Sequence, residues 1–154
     1  MGFGAVVMML ALPADLFGRV PALSGELHAE SGQVAVVDGQ TLRLRDTTIR
    51  LAGIHAPPRG QTCRDDRGAA YDCGGAASAA LAGLVRGRLI TCTLNGRDEA
   101  GFAQALCEAG GTEVNRALVA GGWARAVPPA SFASEEEQAR KLRRGLWQSE
   151  AAGF

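Results

Sequence analysis

The sequence predicts an α+β, mainly β domain: a small five-stranded barrel of the OB type with about three helices. Three observations carry this. Three strand-like runs follow one another between Gln33 and Ile54, separated by turn signals. One helical stretch then divides them from two further strand-like runs, and two helical segments finish the chain. Three strands, a helix, two strands and two helices is an order that closes into such a barrel.

The first run is Gln33-Val34-Ala35-Val36-Val37, which meets the turn signal Asp38-Gly39. In the second, Thr41 to Arg45, leucines alternate with arginines, so that Arg43 and Arg45 point the same way. The third runs from Thr48 to Ile54 and ends before Pro57-Pro58. Pro58 to Cys73 is polar and irregular and reads as a surface loop. Residues 74–86 carry Ala77, Leu81, Leu84 and Val85 at helical spacing, with Gly87 as a stop. Arg88 to Leu94 is the fourth strand, Asn95-Gly96 its turn dipeptide, and Phe102 to Cys107 the fifth, closed by Gly110-Gly111. Thr112 is placed to cap a short helix with Val114, Ala117 and Leu118 inward. The last helix opens on a capping box, Ser134 with Glu137. Its acids stand in the first turn and Arg140, Lys141, Arg143 and Arg144 in the last, which complements the helix dipole and reads as a solvated face. Leu146 and Trp147 are expected to dock that end on the core.

A chain of 154 residues, 47% hydrophobic and 21% charged, can bury a real core, which excludes wholesale disorder. Sixteen basic residues balance sixteen acidic ones, so no long-range field draws the chain to a polyanion. The organisation read from the sequence is an apolar N-terminal segment over 1–24, one domain over 25–150 and a tail over 151–154. Phe3 to Ala14 is too short an apolar run to span a bilayer, which takes about 20 residues. It has three readings: a signal peptide, the remnant of a membrane anchor, or a segment packed on the domain. Cys63, Cys73, Cys92 and Cys107 lack zinc-knuckle spacing, and His28 and His55 are not spaced as partners. Beside an export signal, an even count suggests two disulfides. Three connectivities exist, and loop-closure entropy favours Cys63–Cys73 with Cys92–Cys107. Four buried thiols are the alternative.

The words of the sequence resemble the thermonuclease (staphylococcal-nuclease-like) family. They are Val37-Asp38-Gly39-Gln40-Thr41-Leu42-Arg43-Leu44, Ile49-Arg50-Leu51-Ala52-Gly53-Ile54-His55-Ala56-Pro57, Tyr71-Asp72-Cys73-Gly74, Leu118-Val119 through Gly122-Trp123-Ala124, and Ala139-Arg140 with Gly145-Leu146-Trp147. The resemblance covers roughly residues 31–148 and implies a five-stranded OB barrel with three helices. The cysteines look like those of exported bacterial members, which implies periplasmic or secreted placement, with or without a membrane tether.

The resemblance also implies a chemistry. Active members are Ca²⁺-dependent phosphodiesterases acting on DNA and RNA. Two aspartates hold the hard cation, a glutamate activates water, and two arginines steady charge on the phosphoryl oxygens. Carried over by position, the first metal aspartate falls on Gln40 and the second on His55. The general base falls on Pro58, the first arginine on Arg50, and the second on Phe102. Only Arg50 keeps its family identity, so no catalytic set is intact and no calcium cofactor is expected.

Two readings follow. The first is a non-hydrolytic binding or structural module of the cell envelope, with Arg43, Arg45 and Arg50 as candidate contacts for an oligonucleotide, an oligosaccharide or an envelope protein. Against this, Arg43 and Arg45 could be merely solvated and Arg50 paired with Asp38 or another carboxylate. The second is a nuclease with a rebuilt metal site, drawing on Asp38, His55, Asp65 and Asp66. A protein-interaction surface would show as exposed apolar area near Phe102; rim packing is the plainer account of that side chain.

Overall fold

The structure, a computed structural model, describes residues 24–128 and 132–148. The apolar run of Phe3 to Ala14 and the tail over 151–154 lie outside these residues. Eleven strands and three α-helices are described: β1 Ser24–Ala29, β2 Val34–Val36, β3 Thr41–Leu44, β4 Thr47–Leu51, β5 Ile54–His55, β6 Thr62–Arg64, β7 Ala70–Asp72, α1 Cys73–Val85, β8 Ile90–Arg97, β9 Ala103–Ala109, β10 Thr112–Glu113, α2 Val114–Ala120, β11 Arg125–Ala126 and α3 Ala133–Lys141.

The main sheet runs β1-β8-β9-β4-β3-β2, with β10 also on β9. Its two ends are consecutive in the chain. β1 and β2 are separated by the kink Glu30 to Gln33, where the Gln33 N–H donates to the Glu30 carbonyl at 2.8 Å and the Gln33 side-chain oxygen accepts the Glu30 N–H at 3.2 Å. The kink lets one stretch of chain pair with β8 on one side and β3 on the other, which rolls the sheet into the expected barrel. All contacts along the path are antiparallel except β4 with β9.

The barrel is filled by Leu42, Ile49, Ile90, Cys92, Ala105 and Cys107 from the strands. α1 closes it with Ala77, Leu81 and Val85, and α2 with Val114 and Leu118. Asp72 caps α1 by accepting the Gly75 N–H at 2.7 Å. Both disulfides join nearest neighbours, Cys63 to Cys73 and Cys92 to Cys107. Cys92 and Cys107 face each other across β8 and β9 with Cα atoms 4.1 Å apart, close to the spacing of a pair that exchanges no backbone hydrogen bonds.

Five local expectations are corrected. β1 was not foreseen, because only Ala29 in it is buried and its alternation is weak. The loop over 58–73 contains the hairpin β6–β7, stapled by Cys63–Cys73. Asn95-Gly96 is not the hairpin turn: it lies within β8 at an irregularity between Leu94 and Arg97, with Gly96 at φ 118°. The chain reverses over Asp98 to Gly101, where the Gly101 N–H donates to the Asp98 carbonyl at 2.9 Å. Thr112 sits in β10, and Glu113 occupies the N-cap of α2. Finally, the Ser134–Glu137 box does not form. α3 starts at Ala133, the Ser134 hydroxyl donates to Glu135 at 2.8 Å, and Glu137 pairs with Lys141.

Candidate functional site

The five family positions converge at one end of the barrel. Gln40 immediately precedes β3, Arg50 is on β4 opposite Thr41, His55 is on β5, Pro58 follows it, and Phe102 leads into β9. The backbone ties them together: the Leu51 N–H donates to the Gln40 carbonyl at 2.8 Å. Asp38 initiates the turn before β3, its Oδ1 accepting the Gln40 N–H at 2.9 Å. Gly39, buried, sits where a Cβ would lie 2.8 Å from that of Ala77 and 3.0 Å from that of Ala56, so only glycine lets α1 and β5 approach this turn.

The Gln40 side chain is engaged locally: its Oε1 accepts the Ala56 N–H at 2.8 Å, bridging the turn to the end of β5. An amide does this as a neutral acceptor. His55 is exposed and stands opposite Arg125 of β11. Pro58, also exposed, contributes its carbonyl, which accepts the Gln61 N–H at 3.1 Å.

Arg50 pairs with a carboxylate, the plainer of the two readings, and the carboxylate is Asp98 rather than Asp38. Its Nη1 donates to Asp98 Oδ2 at 2.9 Å, and its guanidinium lies 4.2 Å from the centre of the Phe102 ring. The other Asp98 oxygen accepts the Phe102 N–H at 2.9 Å. One carboxylate therefore holds both the arginine and the backbone of the residue stacked on it. Burial raises the pKa of Asp98, but the Phe102 N–H, the Arg50 guanidinium and the Ala100 N–H outweigh burial and hold it below its ordinary 3.8. Arg50 is 34% and Asp98 14% exposed at the side chain, and the Arg50 Nε–H is buried with no hydrogen-bond partner among the described residues. Phe102 remains 37% exposed at the rim.

Arg43 and Arg45 are exposed and line a shallow recess with Gln33, Val34, Ala35 and Asp46. Arg45 is not a strand residue as expected: it sits in the β3–β4 turn at φ 54°, and its Nε donates to Gln33 Oε1 at 3.3 Å. The β3–β4 register puts Arg43 and Arg50 on one face of the sheet, where Arg50 is turned to Asp98, while Arg45 in the turn is bonded to Gln33.

The alternative metal set is dispersed. Asp65 is at the tip of β6–β7, its Oδ1 accepting the N–H groups of Arg67 at 2.9 Å and Ala69 at 2.8 Å. Asp66 is exposed beside it, whereas Asp38 and His55 belong to the barrel end. Among the described residues, no three of His, Cys, Asp or Glu stand together as a metal-holding group. At the family's calcium position the donors are an amide oxygen already accepting a hydrogen bond and an imidazole, a poor fit to a hard cation that takes carboxylates.

A second residue escaped the sequence reading. Asn115 on α2 is fully buried. Its Oδ1 accepts the Cys107 N–H at 3.1 Å, and its Nδ2 donates to the carbonyls of Ala52 at 2.8 Å and Ala105 at 3.1 Å. It bridges the edge of β9 between the last β4 pairing at Ala105 and the first β10 pairing at Glu108. In doing so it fixes the turn that leads into His55. A lone Asn in the first turn of a short apolar helix is the only sequence trace of this.

A barrel-like sheet joined through a kinked first strand, with an arginine at its β3–β4–β5 end, defines a protein of the OB class. The chain belongs to the staphylococcal nuclease homologue family, whose model matches residues 48–149. It is also similar to the succinoglycan biosynthesis protein ExoI of Rhizobium meliloti (strain 1021), with 32% identity over 154 residues, covering 96% of this chain and 75% of the relative. The two disulfides fit an oxidising compartment, and among the described residues no helix is long and apolar enough to cross a membrane.

Proposed function

We propose that this chain is a non-hydrolytic member of its family, a binding or structural module of the cell envelope. One observation carries the reading: four of the five positions that would do the chemistry hold Gln40, His55, Pro58 and Phe102. Pro58 offers no side-chain base, and loss of a general base typically costs about 10²–10⁴-fold. Phe102 cannot stabilise phosphoryl charge, a loss of roughly 10²–10³-fold more. Two missing carboxylates remove the charge that would offset a divalent cation. The fifth position, Arg50, is paired with Asp98, which supports the same reading. The relative named for succinoglycan biosynthesis favours an oligosaccharide over an oligonucleotide as ligand, a class that OB faces also bind.

The test is direct. The purified chain is incubated with plasmid and single-stranded DNA in Ca²⁺, Mg²⁺, Mn²⁺ and Zn²⁺ in turn. No cleavage is expected with any of them. Metal-dependent cleavage that disappears in His55→Ala would overturn the proposal in favour of a rebuilt site.

A further inference from the structure

We propose that the free margin of β1 is a self-association edge: two copies of this chain pair β1 with β1, antiparallel and centred on Leu27, and join their main sheets into one. The inference is independent of the nuclease question. The ladder decides which groups are free. Cys92 and Cys107 face each other with Cα atoms 4.1 Å apart, so Cys92 turns its N–H and carbonyl away from β9 and toward β1. Its register partner there is Leu27, which exchanges both bonds with it. Glu26 and His28 flank Leu27 and therefore aim their backbone groups at the open side, where no other described strand pairs with β1. Other margins are covered. Arg59 donates to the Val36 and Val37 carbonyls at 3.4 and 2.8 Å beside β2, and Glu136 accepts the Ala126 N–H of β11 at 2.6 Å. β1 has no such cover among the described residues and carries neither lysine, proline nor bulge, the usual devices that keep an edge single.

The side chains select a second copy as the occupant. Glu26 and His28 stand on the outer face, each 55% exposed, and Leu27 is half-buried on the inner one. A register centred on Glu26 sets that acid opposite itself, and one centred on His28 sets Glu26 opposite Glu30; like charges directly opposite are destabilising. A register centred on Leu27 instead sets Glu26 of each copy opposite His28 of the other, an acceptor facing a donor. It also brings their outward backbone groups together, so that the two residues exchange hydrogen bonds in both directions. A two-fold axis through Leu27 satisfies both copies at once, as an isologous interface requires.

The full chain is followed over a concentration series into the millimolar range by sedimentation equilibrium and by amide exchange. Dimers are expected, and with them slower exchange at Glu26 and His28, while Leu27, already bonded to β8, is slow at every concentration. His28→Glu sets acid against acid in the seam and is expected to weaken the dimer by about tenfold, the joint effect of its symmetric cross-strand pairs. Glu26→His combined with His28→Glu exchanges the partners within the same register and is expected to restore the dimer. A chain that stays monomeric throughout, association that leaves the Glu26 and His28 amides unchanged, or a double variant no tighter than His28→Glu overturns the proposal. Association through the apolar N-terminal run or through another face gives the second of these results. Should a variant fail to fold, the wild-type exchange series decides alone.

Discussion

Asn115→Ala removes a side chain that is fully buried and makes three hydrogen bonds to backbone. The cost follows from what each partner loses. The Ala105 carbonyl still accepts the Ala52 N–H at 2.8 Å, so it stays satisfied. The Cys107 N–H points away from β8, since Cys92 and Cys107 face each other at the close spacing, and β4 pairs with β9 no further than Ala105. It loses the acceptor that Asn115 supplied, and the Ala52 carbonyl loses its donor. Two buried backbone groups left unpaired cost about 1–3 kcal/mol each, and a small cavity adds to this. A loss of ~4 kcal/mol lowers the urea midpoint by roughly 2 M at a typical slope for this size. The thermal midpoint falls by about 10 °C. Amide exchange at Gly53 to Ala56 should rise along with it, since the turn before His55 loses its anchor. Asn115→Asp keeps the acceptor but turns a charged oxygen toward two carbonyls, and is expected to be at least as destabilising. A loss below about 1 kcal/mol for alanine, or wild-type stability for aspartate, would refute the bridging role.

Two further predictions concern the acid and the disulfides. Because the pKa of Asp98 is lowered in the folded chain, its stabilising effect is present above the ordinary carboxyl value of 3.8 and disappears as pH falls through its own lower pKa. Wild type is therefore expected to exceed Asp98→Asn in stability at pH 7, with the two unfolding curves converging in strong acid; a gap that persists at low pH contradicts the pairing. Cys63 is partly exposed, while Cys92 and Cys107 are buried in the barrel. Mild reductant under native conditions should open Cys63–Cys73 first, read by alkylation and mass spectrometry, and Cys92–Cys107 only on unfolding, with its loss costing about 3 kcal/mol for a loop of this size.

How far the fold was legible depended on how local its causes are. The β3–β4 alternation, α1 and the disulfide pairing follow from short-range patterns: leucines facing the core, apolar residues at helical spacing, and loop entropy. β1 and the β6–β7 hairpin are not written that way. β1 is mostly exposed and is held by its backbone ladder to β8; β6 and β7 are three residues each, with only half-buried side chains at most. The Asn95-Gly96 dipeptide has turn chemistry, yet β8 runs through it and the reversal waits for Asp98. Site positions could be placed from ordered sequence words because β3, β4 and β5 bring neighbouring words together. Asp98 could not, because it meets Arg50 across 48 residues. The spacing of Asp98 and Gly101 signals a turn and nothing about the arginine.

The kink at Glu30 to Gln33 has a consequence for how the molecule comes together. Residues on either side of it serve both margins of the sheet, so the first stave of the barrel cannot be seated before β8, roughly sixty to seventy residues downstream, is in place. The barrel therefore rests on two non-local pairings, β1 with β8 and β4 with β9, the kind of topology that slows folding. A version starting after residue 30 would leave the whole flank of β8 bare, offering its amides and carbonyls to any neighbouring strand.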